Sequence, residues 1–241
     1  MLWRRVPLHF APCPACNAAR GRPLCQACCQ GSGVLDPPCA ALLGAHELRF
    51  VGAYRHLHAG HQHGLTPLGR SLRAFKDGGD RYTGRCLASL FAARLAPLVA
   101  GIDQIVPVPA DARRLRERGF SPAAWLALAL ARRSGSPLRT RALRRIAGRP
   151  AQRGLGGAGR RANARGAFMV GGAPLRGYSV AVTDDVVTTG ATLRDAARCL
   201  AEAGASRVLC LALACADEEL IARCRPTTGS AGTPDTAALR R

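Results

Sequence analysis

Between Tyr178 and Ala214 the chain reads as a single supersecondary unit. Tyr178 to Val182 is a short apolar strand, and Asp184 and Asp185 stand at its carboxyl end. A turn rich in Thr and Gly then opens a helix predicted over Thr189 to Ala203, which stops at Gly204. Arg207 to Ala214 is again an apolar strand. Strand, turn, helix, strand is a βαβ unit, and such units build parallel sheets with helices on both faces and ligands at the carboxyl ends of the strands.

The segment before this unit fits the same architecture. Leu48 to Tyr54 and Gln104 to Val108 read as strands, and Pro67 to Phe75 and Arg85 to Leu98 as helices. Pro122 opens a further helix to about Arg133, with Ser121 as its cap. Arg139 to Gly166 is basic and Gly-rich and predicts no element. The domain boundaries expected are 1–45 for a cysteine-rich module, 46–225 for an α/β domain and 226–241 for a Thr/Ser/Gly/Pro/Ala-rich disordered tail.

With 241 residues, 48% of them hydrophobic and 5% aromatic, the chain is globular rather than fibrous or disordered. No apolar run of membrane-spanning length is present, and the first residues meet prolines and paired cysteines instead of a signal sequence, so a cytoplasmic protein is expected. Its eleven cysteines should then be thiols or metal ligands. Cys13, Cys16, Cys25 and Cys28 form two C-x-x-C knuckles whose spacing lets four thiolates converge on one structural zinc, with Cys29 as an alternative to Cys28 and Cys39 left over. His56, His58, His61 and His63 are spaced like metal ligands but lie in a Gly-containing segment that reads as a solvated loop.

The net charge of +20 favours polyanionic partners. Between Asp111 and Arg165 stand fifteen arginines and two acidic residues, a density suited to phosphate backbones without base selection, which uniform codon bias toward arginine would produce equally well. Lys76 is the only lysine, which suggests that an ammonium point charge is wanted there. In the Asp-Asp turn, carboxylates accept hydrogen bonds from ribose hydroxyls, while small hydroxyl residues and amides at a helix N-terminus hold a phosphate.

The run Val180 to Thr192 resembles the phosphoribosyl pyrophosphate (PRPP) loop of type I phosphoribosyltransferases, departing from it at Thr183, where an apolar residue is usual. Further segments follow in the order seen in ComF-type proteins. They are the cysteine module, Ser71 to Lys76 with Gly78, Gly79 and Asp80, Val106 to Pro109, Arg118 to Ser121, Gln152 with Leu155, and Arg160 and Asn163 with Gly166 to Phe168. The resemblance covers residue 13 to about 215 and implies a zinc ribbon joined to a type I phosphoribosyltransferase fold, in a family associated with DNA uptake. Many ComF-type proteins carry two knuckle sets, whereas this chain has one complete set.

By the same resemblance, Asp184 and Asp185 would hold the ribose hydroxyls, directly or through Mg²⁺, and Thr188, Thr189, Gly190, Ala191 and Thr192 the 5′-phosphate. The turn at Val108 and Pro109 would lie against pyrophosphate, with Arg116, Arg118 and Lys76 supplying charge. Gln152 and Arg160 belong to an expected mobile flap. Two functions remain open. One is a competence protein with a phosphoribosyl site and a single-stranded DNA or helicase partner; the other is a Mg²⁺-dependent phosphoribosyltransferase of nucleotide metabolism or salvage.

Overall fold

The computed structural model describes residues 12–17, 24–34, 38–56, 64–146, 166–172 and 174–223. Gln152, Leu155, Arg160 and Asn163 of the expected flap, His58, His61 and His63, and the tail from residue 226 lie outside them. The elements are α1 (Gln26–Gly31), β1 (Cys39–Leu43), β2 (His46–Ala53), α2 (Pro67–Gly78), α3 (Arg81–Leu95), a 3₁₀ turn (Ala96–Val99), β3 (Gln104–Pro107), α4 (Ala112–Arg118), α5 (Pro122–Ser134), β4 (Leu143–Arg145), β5 (Phe168–Val170), β6 (Ser179–Val187), α6 (Ala191–Glu202), β7 (Arg207–Cys215) and α7 (Glu218–Arg223). Among the described residues, no helix is long and apolar enough to cross a membrane.

The fold is α/β with a mostly parallel sheet of order β1-β2-β7-β6-β3. Strands β2, β7, β6 and β3 run parallel, and β1 pairs antiparallel at the edge. Period-two alternation sorts the side chains of the sheet onto two faces. Val208, Cys210 and Ala212 of β7 join Leu193, Ala196, Ala197 and Leu200 of α6 in one cluster. Leu209, Leu211 and Leu213 join Leu72, Leu87, Phe91 and Leu126 from α2, α3 and α5 in the other. Strand β7 is therefore buried on both faces, which is why it reads as one continuous apolar run.

Local chemistry sets the helix ends. The Thr66 hydroxyl accepts from the Gly69 amide and donates to the Ala53 carbonyl at 2.6 Å, tying the start of α2 to the end of β2. Asp80 accepts from the Tyr82 and Thr83 amides, so α3 begins at Arg81, one turn earlier than the apolar pattern predicts. Pro97 has no N–H to continue the helix, and the chain tightens into a 3₁₀ turn there. Gly84 is where α3 crosses α2, since a Cβ there would meet the Phe75 ring at 2.3 Å.

Four features depart from the sequence expectation. The boundary expected after residue 45 falls in the β1–β2 hairpin, because β1 belongs to the main sheet. The basic stretch from Arg139 contains β4, which pairs antiparallel with β5. Helix α4 also went unpredicted, because none of its residues is buried. Finally, Cys39 is disulfide-bonded, so the expectation that every cysteine is a thiol or a ligand fails at that position. Strand β1 holds Cys39 buried at the sheet edge.

Candidate functional site

The connections out of β3 and β6 leave on opposite faces of the sheet. After β3 the chain passes through α4 to α5, which packs with α2 and α3. After β6 it enters α6 on the other face. Neighbouring parallel strands whose connections diverge in this way leave a crevice at their carboxyl ends. Asp184 and Asp185 stand there near the end of β6, and the turn at Val108 and Pro109 stands beside them at the end of β3. The Val108 amide donates to the Thr183 carbonyl at 2.9 Å, which fixes the two strand ends together.

That bond changes what the Val108 turn can offer. The Val108 N–H is committed, and Pro109 has none, so these two residues shape the turn, and the next main-chain donor belongs to Ala110. Thr183 is fully buried and donates its hydroxyl to the Ala123 carbonyl of α5 at 3.4 Å. The residue that departs from the family pattern thus has a polar partner in the core and ties β6 to α5.

Lys76, in the last turn of α2, reaches across to this crevice. Its Nζ lies 2.7 Å from Asp185 Oδ2, with the two side chains 19% and 14% exposed. Burial alone would raise the Asp185 carboxyl, but the Lys76 charge and hydrogen bond outweigh it and hold the group below its ordinary value. At Asp184 the Lys76 charge offsets only part of the effect: burial, reinforced by the negative charge of Asp185, pushes the carboxyl up to about 8. Its Oδ1 accepts from the Asp185 amide at 2.8 Å. Two adjacent carboxylates with one ammonium between solvent and core suit a ligand that brings hydroxyls or a divalent cation.

The turn from Thr188 to Gly190 then enters α6. Gly190 has φ +67°, and a Cβ on it would come within 2.2 Å of Leu43 Cδ1, so only glycine fits. No side chain caps α6 at Gly190; Thr189 Oγ1 accepts only from the Ala191 amide, at a long 3.4 Å. Thr188 is exposed, and Thr189 and Thr192 are half-buried. The other predicted cations divide. Arg118 turns toward α2 and pairs with Asp77 at 3.1 Å, beside the stacked rings of Phe75 and Phe120. Arg116 is exposed on α4.

Sequence reasoning missed Arg145. It lies on β4 opposite Phe168, with its guanidinium 4.9 Å from that ring. Its charged surroundings include Asp111 and Asp184. The only signal was its place in an arginine pair at the start of the basic stretch, where no strand was expected.

The cysteine module lies on the α2 side of the sheet. The thiols of Cys13, Cys16, Cys25 and Cys28 all fall within 4.8 Å of one another. Among the described residues this is the one cluster of three or more potential metal ligands. Burial raises the Cys13 thiol, yet the amides of Cys25, Ala15 and Cys16 more than offset it and bring it down to about 7. Cys28 is pushed far up by burial and by the other three cysteines. Four such thiols cannot ionise together without a cation, so the donor set fits a structural zinc. Cys29 instead points its thiol at the Leu24 carbonyl, which settles Cys28 as the fourth member of the set.

No family model matches the chain. It is 34% identical over 106 residues to the DNA utilization protein YhgH of Salmonella typhi, a match over 44% of this chain and 46% of that protein, so the chain spans about half the length of that relative. It is 31% identical over 155 residues to competence protein F of Haemophilus influenzae, covering 61% of this chain and 67% of that one. Among solved structures, Trypanosoma cruzi hypoxanthine phosphoribosyl transferase is 15% identical, with a TM-score of 0.37 over 55% of this chain and 64% of that one.

Proposed function

Because the chain belongs to the ComF family, we propose that it supports DNA uptake, and that it does so through a site for PRPP or a related phosphoribosyl ligand. One observation carries the second half of this reading. An Asp184–Asp185 pair, followed by an uncapped helix entry at Thr188 to Thr192, stands at the crevice between β3 and β6. Asp184 and Asp185 would take the ribose hydroxyls, directly or through a Mg²⁺ that they would hold and that would supply neutralising charge. The residues Thr188 to Thr192 would take the 5′-phosphate through hydroxyls and main-chain amides.

Lys76 neutralises Asp185 in the free protein and would turn to the pyrophosphate once a cation arrives on the carboxylates. Arg116, exposed on α4, would meet the same anion from outside, and Arg118 holds the α4 end against α2. Exposed arginines at 113, 114, 116, 132 and 133 would contact the backbone of single-stranded DNA or a helicase partner. Phosphoribosyl transfer in nucleotide salvage is the competing reading of the same pocket, and turnover separates the two.

The test is calorimetric titration of the full chain with PRPP and Mg²⁺, alongside Asp185→Asn, with pyrophosphate release measured against a panel of free bases. Binding that the substitution abolishes supports the site. Base-dependent release would make the protein a transferase, and binding without release would make it a sensor or scaffold. Absence of binding refutes the pocket assignment.

A further inference from the structure

Arg145 is the one described cation at the crevice edge whose placement the fold explains and whose bonding it leaves incomplete. The register of the β4–β5 pair sets Arg145 directly across from Phe168. Phe168 is 4% exposed and belongs to the core that includes α6, so the ring is a fixed platform for the guanidinium lying 4.9 Å from its centroid. The start of β5 is fixed in turn by Asp195 of α6. That buried carboxylate accepts from the Gly166 and Ala167 amides at 2.9 and 2.8 Å and is held by Arg198 at 2.7 Å. Arg145 is thus rigidly positioned from the same helix whose N-terminus forms the phosphate turn.

Its bonding does not match that rigidity. Arg145 Nε is buried and has no hydrogen-bond partner among the described residues. An unmet buried donor on a charged group is costly and calls for a physical explanation. The acidic groups around it are Asp111, which caps α4 just beyond the Val108 turn, Asp184, and Asp195, which Arg198 already engages. Arg114 adds a second positive charge nearby. Arg145 therefore stands within electrostatic reach of Asp111, just past the β3 turn, and of the first carboxylate of the pair.

We propose that Arg145 is a binding residue for the pyrophosphate group of the ligand, its planar fork preset on the Phe168 ring to receive two phosphoryl oxygens. This inference rests on the phosphoribosyl reading above and adds to it a residue and a subsite. A fork held in one plane loses little freedom on binding, and arginine suits bidentate capture of phosphate where lysine offers a point charge. Lys76 and Arg145 would then approach the same anion from opposite faces of the sheet.

The experiment titrates the full zinc-loaded chain with three probes in Mg²⁺: PRPP, inorganic pyrophosphate and ribose 5-phosphate. The proteins are wild type, Arg145→Gln, Arg145→Lys and Asp185→Asn, each with a thermal melt. Arg145→Gln is expected to weaken PRPP and pyrophosphate by about 10- to 100-fold, the worth of a charge-assisted hydrogen bond. Ribose 5-phosphate should stay within about twofold, and Arg145→Lys should fall between. If Arg145→Gln melts lower yet binds PRPP and pyrophosphate like wild type, or loses ribose 5-phosphate equally, the inference is overturned. Loss of PRPP binding in Asp185→Asn alone would then leave the site reading standing. If wild type binds none of the probes, both fall. Should Arg145→Gln not fold, Arg145→Lys decides: unchanged pyrophosphate affinity overturns the assignment, and a fall of about threefold or more supports it.

Discussion

Replacing Lys76 by methionine keeps the aliphatic stem and removes the ammonium that stands 2.7 Å from Asp185. Breaking a fully buried pair from one side costs about 3–5 kcal/mol, and breaking an exposed one less than about 1 kcal/mol. With 19% and 14% of the two side chains exposed, Lys76→Met should cost about 2–3 kcal/mol at neutral pH, or about 5–10 °C in Tm for a chain of this size. The pH dependence gives the stricter test. Asp185 is held below its ordinary value in the folded wild type, so its contribution is present above the unfolded value and is lost as pH falls through the folded one. In Lys76→Met the depressing charge is gone and burial raises Asp185, so the folded variant gains stability from protonation as pH falls from 7 toward 4. The gap between the two proteins should therefore narrow toward pH 4 in urea melts in magnesium-free buffer. Equal stability at pH 7, or a gap that widens on acidification, would refute the pairing.

Gly190→Ala must place a methyl within 2.2 Å of Leu43 at φ +67°, and it should lose about 1–3 kcal/mol in melts together with PRPP affinity in calorimetry. Cys28→Ser should abolish stoichiometric zinc in a metal assay and lower Tm, whereas Cys29→Ser, whose thiol faces the Leu24 carbonyl, should retain one zinc per chain. Serine at Arg113, Arg132 and Arg133 together should flatten the salt dependence of single-stranded DNA binding by about 2 in log–log slope, without moving PRPP affinity. An unchanged slope would locate DNA contact elsewhere.

The parts of the fold legible in the sequence are those whose signal is local. α6 and β7 lie close to their expected limits because the Gly190 turn, the Gly204 stop and an unbroken apolar run fall within a few residues of the boundaries they set, whereas β6 continues past Val182 to Val187, its ladder with β7 carrying the polar Thr183 to Asp185 along. β1 was hidden, because Cys39 to Leu43 has half-exposed positions and its reason for being a strand is pairing with β2. α4 has a capping Asp111 and a left-handed Gly119 but no buried face, so hydrophobic periodicity had nothing to report. At the site, the carboxylates and the Thr/Gly turn were readable, and Lys76 stood out as the only lysine. Its partner Asp185 was not readable, because that contact exists only once α2 is laid across the carboxyl edge of the sheet. Arg145 was unreadable for the same reason, its meaning depending on a β4–β5 register and a ring from beyond the flap segment.

The placement of Lys76 also connects the cysteine module to the crevice through α2. Four thiolates around one ion leave no position for a substrate, so any influence on the crevice must be mechanical. The route is continuous. Cys13, Leu24 and Cys28 share a buried cluster with Leu68, Leu72 and Phe75 of α2. The Ser32 hydroxyl donates to the Cys28 carbonyl at 2.6 Å and accepts from the Leu68 amide at 2.9 Å, while the Ser32 carbonyl accepts from Ala53. Tyr82 of α3 donates to the Pro12 carbonyl. The knuckles are therefore packed against the helix whose last turn carries Lys76 and whose Asp77 holds Arg118. A helix of twelve residues with an αL glycine at its end has little intrinsic stability of its own, and tertiary packing must fix where its last turn points. Loss of the metal would loosen that packing and, with it, the ammonium that neutralises Asp185.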